Sequence, residues 1–299
     1  MLKDILLGTA QWGWTTDKDV AFRLLDSFYA DGFRQVDTAT NYPINGIPKD
    51  FRIAEKILAE WLLAHGIRDM KVMAKIGSLV NLRSPDCNLT KSFLLMALEQ
   101  YGYLFHENLG TLMIHWDNRS VLDEIEDTFE ALEVFTAHGL QVGISGIKHP
   151  DLYFAVNETY NFDFFIQVKH NILHSDYARY QLFHQKSRFI AYGINAGGIK
   201  LNAASYDEKS VLAARGGDLS NENPVLKKLP LILAAINSDS TRPAITDFYQ
   251  LGLAYASTNP DVERIIVAPS SVEQWSKTVN FYRVLQQFDY QNILHSIHV

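Results

Sequence analysis

A chain of 299 residues with 47% hydrophobic content can bury a large core, and its length allows one barrel-sized domain or two ordinary ones. A formal charge of −7 excludes recruitment of nucleic acid or an anionic membrane by bulk electrostatics, so any anionic ligand must be met by local groups. One cysteine, Cys87, excludes an internal disulfide, and with no run of about 18 apolar residues and no signal-peptide core at the start, a cytoplasmic protein without a membrane segment is expected.

Eight short apolar runs follow one another along the chain: "DILLGTA" (4–10), "FRQVDTA" (33–39), "KVMAKIG" (71–77), "GTLMIHW" (110–116), "LQVGISG" (140–146), "FDFFIQV" (162–168), "RFIAYGI" (188–194) and "ERIIVAP" (263–269). They are apolar without alternation, the pattern of parallel strands buried on both faces. Helical segments lie between them. "DVAFRLLDSFYADG" stops at Gly32 and "VLDEIEDTFEALEVFTAHG" at Gly139, each with apolar residues at helical spacing. Eight such units predict a (β/α)8 TIM barrel, and no linker or low-complexity tract divides residues 1–299, so a single domain is expected. A doubly wound sheet would want a GxGxxG turn after the first strand, which "GTAQWGW" lacks. The spacing loosens only across 195–242, a polar stretch ending in the helical "PVLKKLPLILAAIN", which reads as a lid over a site or as decoration.

In a barrel the site lies at the C-terminal strand ends, so the polar residues closing each run are the candidates. These are Asp37, Lys75, His115, Ser145, Gln167 and Tyr192, with Tyr42 in the loop after the second strand. Each alone reads as a cap or a solvated side chain. An Asp, a Lys and a His closing successive strands would instead converge, and carbonyl reduction needs that set. Hydride delivery builds negative charge on oxygen, which a proton donor and fixed polar groups must meet. Tyr42 is the expected donor, Lys75 the cation that favours its phenolate, Asp37 the anchor of Lys75, and His115 the group that orients the carbonyl. No HxH or HExxH spacing occurs among the histidines, and no metal is expected.

The motifs "VDTATNY", "VMAKIG", "LMIHW", "VGISG", "IQVKHNIL", "IAYGINAGGI" and "IIVAPSSVEQ" occur in the order found in the aldo-keto reductases, which the chain resembles along nearly its whole length. The resemblance implies the barrel, a nicotinamide cofactor, a small carbonyl or alcohol substrate, and a catalytic tetrad at Asp37, Tyr42, Lys75 and His115. It implies nicotinamide contacts at Ser145 and Gln167, with Tyr192 stacking on the ring. Further cofactor contacts are implied at Thr9, Ala10, Asp37 and Gly197, and at Ser270, Ser271, Gln274 and Lys277 for the adenosine and phosphates. Trp116 and Trp12 read as walls of the substrate pocket or as packing residues. "LGTAQWGW" is similar to members found beside polysaccharide-synthesis enzymes, which hints at a sugar-like substrate.

Several positions depart from the family pattern. Gly146 follows Ser145 where Asn is usual, Pro43 follows Tyr42 where Gly is usual, and His170 stands where Tyr is usual. Gln274 takes a position often held by Arg, and Lys277 and Thr278 replace Glu and Asn. These changes predict use of both coenzymes with a modest preference for NADP over NAD. Residues 200–220, with Lys200, Lys209 and Arg215, are expected to close over the pyrophosphate. Two other readings stay open: a nucleotide-binding regulatory barrel with vestigial catalysis, and a lyase forming a Schiff base on Lys75. The oligomeric state is open as well.

Overall fold

A computed structural model describes residues 3–82, 84, 86–201 and 224–296. The lid expected over 200–220, with Lys209 and Arg215, lies almost wholly outside them.

Each of the eight apolar runs contains a strand: β1 (Asp4–Gly8), β2 (Gln35–Ala39), β3 (Lys71–Ile76), β4 (Leu109–His115), β5 (Gln141–Ser145), β6 (Phe165–Asn171), β7 (Arg188–Tyr192) and β8 (Val262–Val267). All neighbours pair in parallel, β1 pairs with β8, and β5 pairs with β6, so the sheet closes on itself. Helices α1 (Lys18–Ala30), α2 (Ile53–His65), α3 (Lys91–Phe105), α4 (Leu122–Ala137), α5 (Pro150–Tyr160), α6 (Pro224–Ile236), α7 (Phe248–Thr258) and α8 (Val272–Leu285) pack around it, and a short α9 (Asn292–Ser296) follows. This is a (β/α)8 barrel.

Local signals set the helix limits. Asp17 caps α1 by accepting from the Val20 amide at 2.8 Å, which satisfies one of the orphan donors of the first turn. Gly32, Gly66 and Gly139 follow α1, α2 and α4 with positive φ, the conformation that stops a helix cheaply only at glycine.

The pleat explains both the run composition and the position of the polar groups. Outward residues such as Val72, Ala74, Leu112, Ile114, Ile144, Ile166 and Val168 join one core with the helices. Inward residues Leu6, Met73, Met113, Phe165, Ile190 and Ile266 form a separate cluster that fills the barrel. Side chains two positions apart share a face, so Lys75 stands one layer above Met73, His115 above Met113, Gln167 above Phe165 and Tyr192 above Ile190. The plug therefore forms a floor beneath the polar layer. Gly143 belongs to that design, because a β-carbon there would stand 2.6 Å from Met113 Cε and from the Phe165 carbonyl oxygen. At the opposite mouth the guanidiniums of Arg188 and Arg264 lie 3.7 and 4.0 Å from the centroid of the Phe165 ring.

Phe165 thus holds the plug together from both ends. Phe165→Ala should cost about 3–5 kcal/mol of unfolding free energy, measured by urea denaturation. A loss below about 1 kcal/mol would show that the interior collapses around the gap.

Candidate active site

Register brings the polar residues to one level. Ala39 pairs with Lys75, His115 with Ser145, Ser145 with Gln167, and Lys169 with Tyr192. At the centre Lys75 Nζ donates to both carboxylate oxygens of Asp37, at 2.6 and 2.5 Å. Gln167 Nε2 donates to Asp37 Oδ1 at 2.6 Å and lies 3.2 and 3.3 Å from the sulfurs of Met73 and Met113. Lys75 is 1% exposed and Asp37 2%. Burial pulls the Lys75 ammonium below the usual lysine range, while the charge of Asp37 and its hydrogen bonds oppose that shift.

His115 is buried at the end of β4. Burial holds its imidazole well below the usual range, and the Lys75 charge pushes the same way, so the ring is neutral at neutral pH. Its Nδ1 is buried without a hydrogen-bond partner. Tyr42 stands over this pair. Its ring meets the His115 ring edge-on, with centroids 6.4 Å apart and planes at 89°, and Lys75 Nζ lies 4.9 Å from its centroid.

The loop around Tyr42 is anchored by a residue that strand ends do not reveal. Asn81, 2% exposed, donates through Nδ2 to the Pro43 carbonyl at 3.3 Å and to the Ile47 carbonyl at 2.8 Å. The Tyr42 amide bonds back to Ala39 O at 3.1 Å, which fixes the exit from β2.

A cavity of about 1030 Å³ opens above this layer. It runs from Tyr42, His115 and Trp116 past Ser145, Gln167 and Tyr192 to Ser270, Gln274 and Lys277 at the start of α8. Its volume lies at the upper end of the range for small-molecule pockets, enough for an elongated ligand beside a second small one. Ala10 and Gly197 line it, Gly197 with a φ of +88°. Lys169, Asn195, Thr246, Asp247, Phe248 and Tyr249 line it too and were not anticipated. The signal for Asp247 was readable as a capping box with Gln250 at the head of α7.

Three expected residues stand elsewhere. Trp12 is not a pocket wall: the turn from Thr9 to Thr16 carries its indole into the core at 1% exposure. Thr9 is fully buried and hydrogen-bonded through its hydroxyl to Thr38 at 2.9 Å, away from the cavity. Ser271 does not line the cavity either; its side chain caps α8 by accepting from the Gln274 amide at 3.2 Å. Gln274 in turn accepts from the Ser270 amide at 2.9 Å and hydroxyl at 3.1 Å. Lys277 pairs with Glu273 at 2.7 Å on the same helix face.

The model of the Aldo/keto reductase family matches residues 4–295. The chain belongs to that family. In sequence it is 31% identical over 157 residues to norsolorinic acid reductase stcV of Emericella nidulans, covering 47% of this chain and 38% of the relative. It is 39% identical over 145 residues to aryl-alcohol dehydrogenase [NADP(+)] of Phanerodontia chrysosporium, covering 44% of this chain and 35% of the relative. The matches therefore span little more than a third of these relatives' own lengths. In fold it is similar to the aldo-keto reductase AKR11C1 of Bacillus halodurans in its holo form, with a TM-score of 0.71 at 18% identity, covering 99% of this chain and 92% of that one.

His170, at the family's usual tyrosine position, stacks on Tyr255 at 4.8 Å and hydrogen-bonds Ser175 Oγ through Nδ1 at 2.7 Å. Burial lowers its pKa to about 4 from the ordinary 6.5. Between those values the unfolded chain takes up a proton that the native state refuses. The contribution to stability is therefore complete above pH 6.5 and falls as the pH drops towards 4. His170→Tyr should remove that loss, which amounts to at most about 3 kcal/mol. Urea melts of both proteins at the two ends of this pH range would show it, and an identical pH dependence would assign the effect to other groups.

Proposed function

We propose that this barrel reduces an aldehyde or ketone with a nicotinamide coenzyme, NADP(H) in modest preference to NAD(H), with Tyr42 as proton donor. The observation that carries the reading is the convergence of Tyr42, His115 and the buried Lys75–Asp37 pair at one end of an elongated cavity. When bound, the coenzyme supplies a hydride to the carbonyl carbon. Ser145 and Gln167 are suited to hold its carboxamide, and Tyr192 to stack on its ring. The start of α8 borders the far end of the cavity, and the positive end of its helix dipole is suited to phosphate.

Each residue then has a physical task. The carbonyl oxygen sits between Tyr42 and His115, which polarise it by hydrogen bonding. As charge develops there, Tyr42 releases its proton, and Lys75 stabilises the phenolate that remains. A neutral His115 donates without competing for that proton. Asp37 and Gln167 keep Lys75 from swinging toward solvent. The same bidentate pairing argues against a Schiff base on Lys75, because an ammonium held by two carboxylate oxygens is not a nucleophile.

A sugar-like substrate rests on the resemblance of the chain's start, whereas the relative named for aryl alcohols and NADP(+) favours an aromatic one. That name also supports NADP(H) here. Lys277 lines the far end of the cavity and is the cation suited to a 2′-phosphate, but Glu273 shares its charge.

Tyr42→Phe keeps the ring and removes the proton, so the chemical step should slow roughly 10²- to 10⁴-fold with coenzyme affinity little changed. Stopped-flow oxidation of NADPH with a reactive aldehyde measures it, and near-parental rates would refute the assignment. For the coenzyme, Lys277→Ala should weaken NADPH more than NADH, and Glu273→Ala should tighten NADPH, each by roughly two- to five-fold, as for an exposed ionic contact. Equal changes for the two coenzymes in fluorescence titrations would show that this end does not read the phosphate.

A further inference from the structure

Trp116 and Gly146 leave β4 and β5 side by side. The Trp116 amide donates to Ser145 O at 2.9 Å, and both residues adopt left-handed backbone, with φ of 61° and 69°. For a tryptophan this conformation is costly, on the order of 1 kcal/mol or more, and it persists only where surrounding structure imposes it. The result is an indole that lines the cavity with its centroid 4.8 Å from the His115 ring.

Gly146 is what gives that indole room. A β-carbon at 146 would stand 2.5 Å from Trp116 Cδ1, 3.1 Å from Nε1 and 3.6 Å from Cγ. All three nearest atoms belong to the one indole, so the space a side chain would need is taken by Trp116 and not by backbone. Carbon atoms pack at about 3.5–4.0 Å, so any residue other than glycine must push the ring by about 1 Å. Trp116, His115 and Tyr42 together form an aromatic wall around the reacting end, suited to a flat ring attached to the carbonyl.

We propose that Gly146 is a specificity-determining residue that acts through Trp116, seating the indole so that the site favours carbonyls borne on a flat ring over extended aliphatic ones. The inference rests on the reductase reading above. The absence of a side chain after Ser145 then serves the substrate wall as well as the left-handed backbone at that position.

The test is a double-mutant cycle of Gly146→Ala and Trp116→Leu, with 4-nitrobenzaldehyde and butanal as substrates and NADPH binding followed by fluorescence. Gly146→Ala should lower kcat/KM for 4-nitrobenzaldehyde about 10- to 100-fold, mainly through KM, as expected for a displacement of about 1 Å. Butanal turnover and NADPH affinity should stay within about three-fold. In the Trp116→Leu background the same alanine should change kcat/KM by less than about three-fold, because the rigid indole it strikes is replaced by a side chain that can turn its methyl groups away. An undiminished loss in that background, or equal losses for the two aldehydes, would overturn the inference. If Gly146→Ala does not fold, Trp116→Leu alone decides: it must raise KM for 4-nitrobenzaldehyde more than for butanal, and equal effects overturn the inference. No NADPH oxidation by the parent protein with either aldehyde would overturn the reductase reading itself, and the inference with it.

Discussion

The structure is organised around a charge pair sealed from water. Lys75 and Asp37 are both nearly inaccessible and share two short hydrogen bonds, so neither tolerates loss of the other. An unpaired charge in such a place costs about 3–5 kcal/mol. The pair joins β2 to β3, and Gln167 ties it to β6 on the far side of the barrel. The strands must therefore close in one register, with an apolar floor below that keeps water out. The electrostatics above depend on the same pair: the Lys75 charge helps to keep His115 neutral and lies against the ring of Tyr42.

A second buried polar chain supports the first from outside the barrel. The Tyr101 hydroxyl donates to Glu55 at 2.5 Å, and Arg52 pairs with the other carboxylate oxygen. The Thr40 hydroxyl shares its one proton between the Tyr101 oxygen at 2.9 Å and the Lys75 carbonyl at 3.1 Å. Helices α2 and α3 are thus bonded to the strand ends that carry Asp37, Lys75 and the Tyr42 loop. Buried networks of this kind, when every member is satisfied, define one arrangement and resist others. That is the property a proton-transfer geometry needs.

Much of this was legible in the sequence for a simple reason. Parallel strands buried on both faces must be apolar, so a lone Asp, Lys or His closing such a run stands out, and the barrel tells where it points. The family motifs then supplied roles for the same positions. What stayed hidden depends on chain reversals and distant contacts. The inward course of Trp12 follows from turn geometry that composition does not encode, and Asn81 acquires its task only when the loops after β2 and β3 meet. Ser271 shows a different ambiguity, because a serine before a helix reads equally as a phosphate ligand or as a cap. Gly146 shows in the sequence only as a departure from the family pattern, and its place against the Trp116 indole appears only in the structure.

The central claim is that hydride passes from the coenzyme to a carbonyl carbon held between Tyr42 and His115. The most direct measurement uses NADPH carrying deuterium at both C4 positions with 4-nitrobenzaldehyde, followed by mass spectrometry of the product. The account predicts one deuterium on the carbinol carbon of the alcohol, with the transfer abolished or slowed by loss of the Tyr42 hydroxyl. Alcohol formed without deuterium, or transfer indifferent to Tyr42, would contradict it.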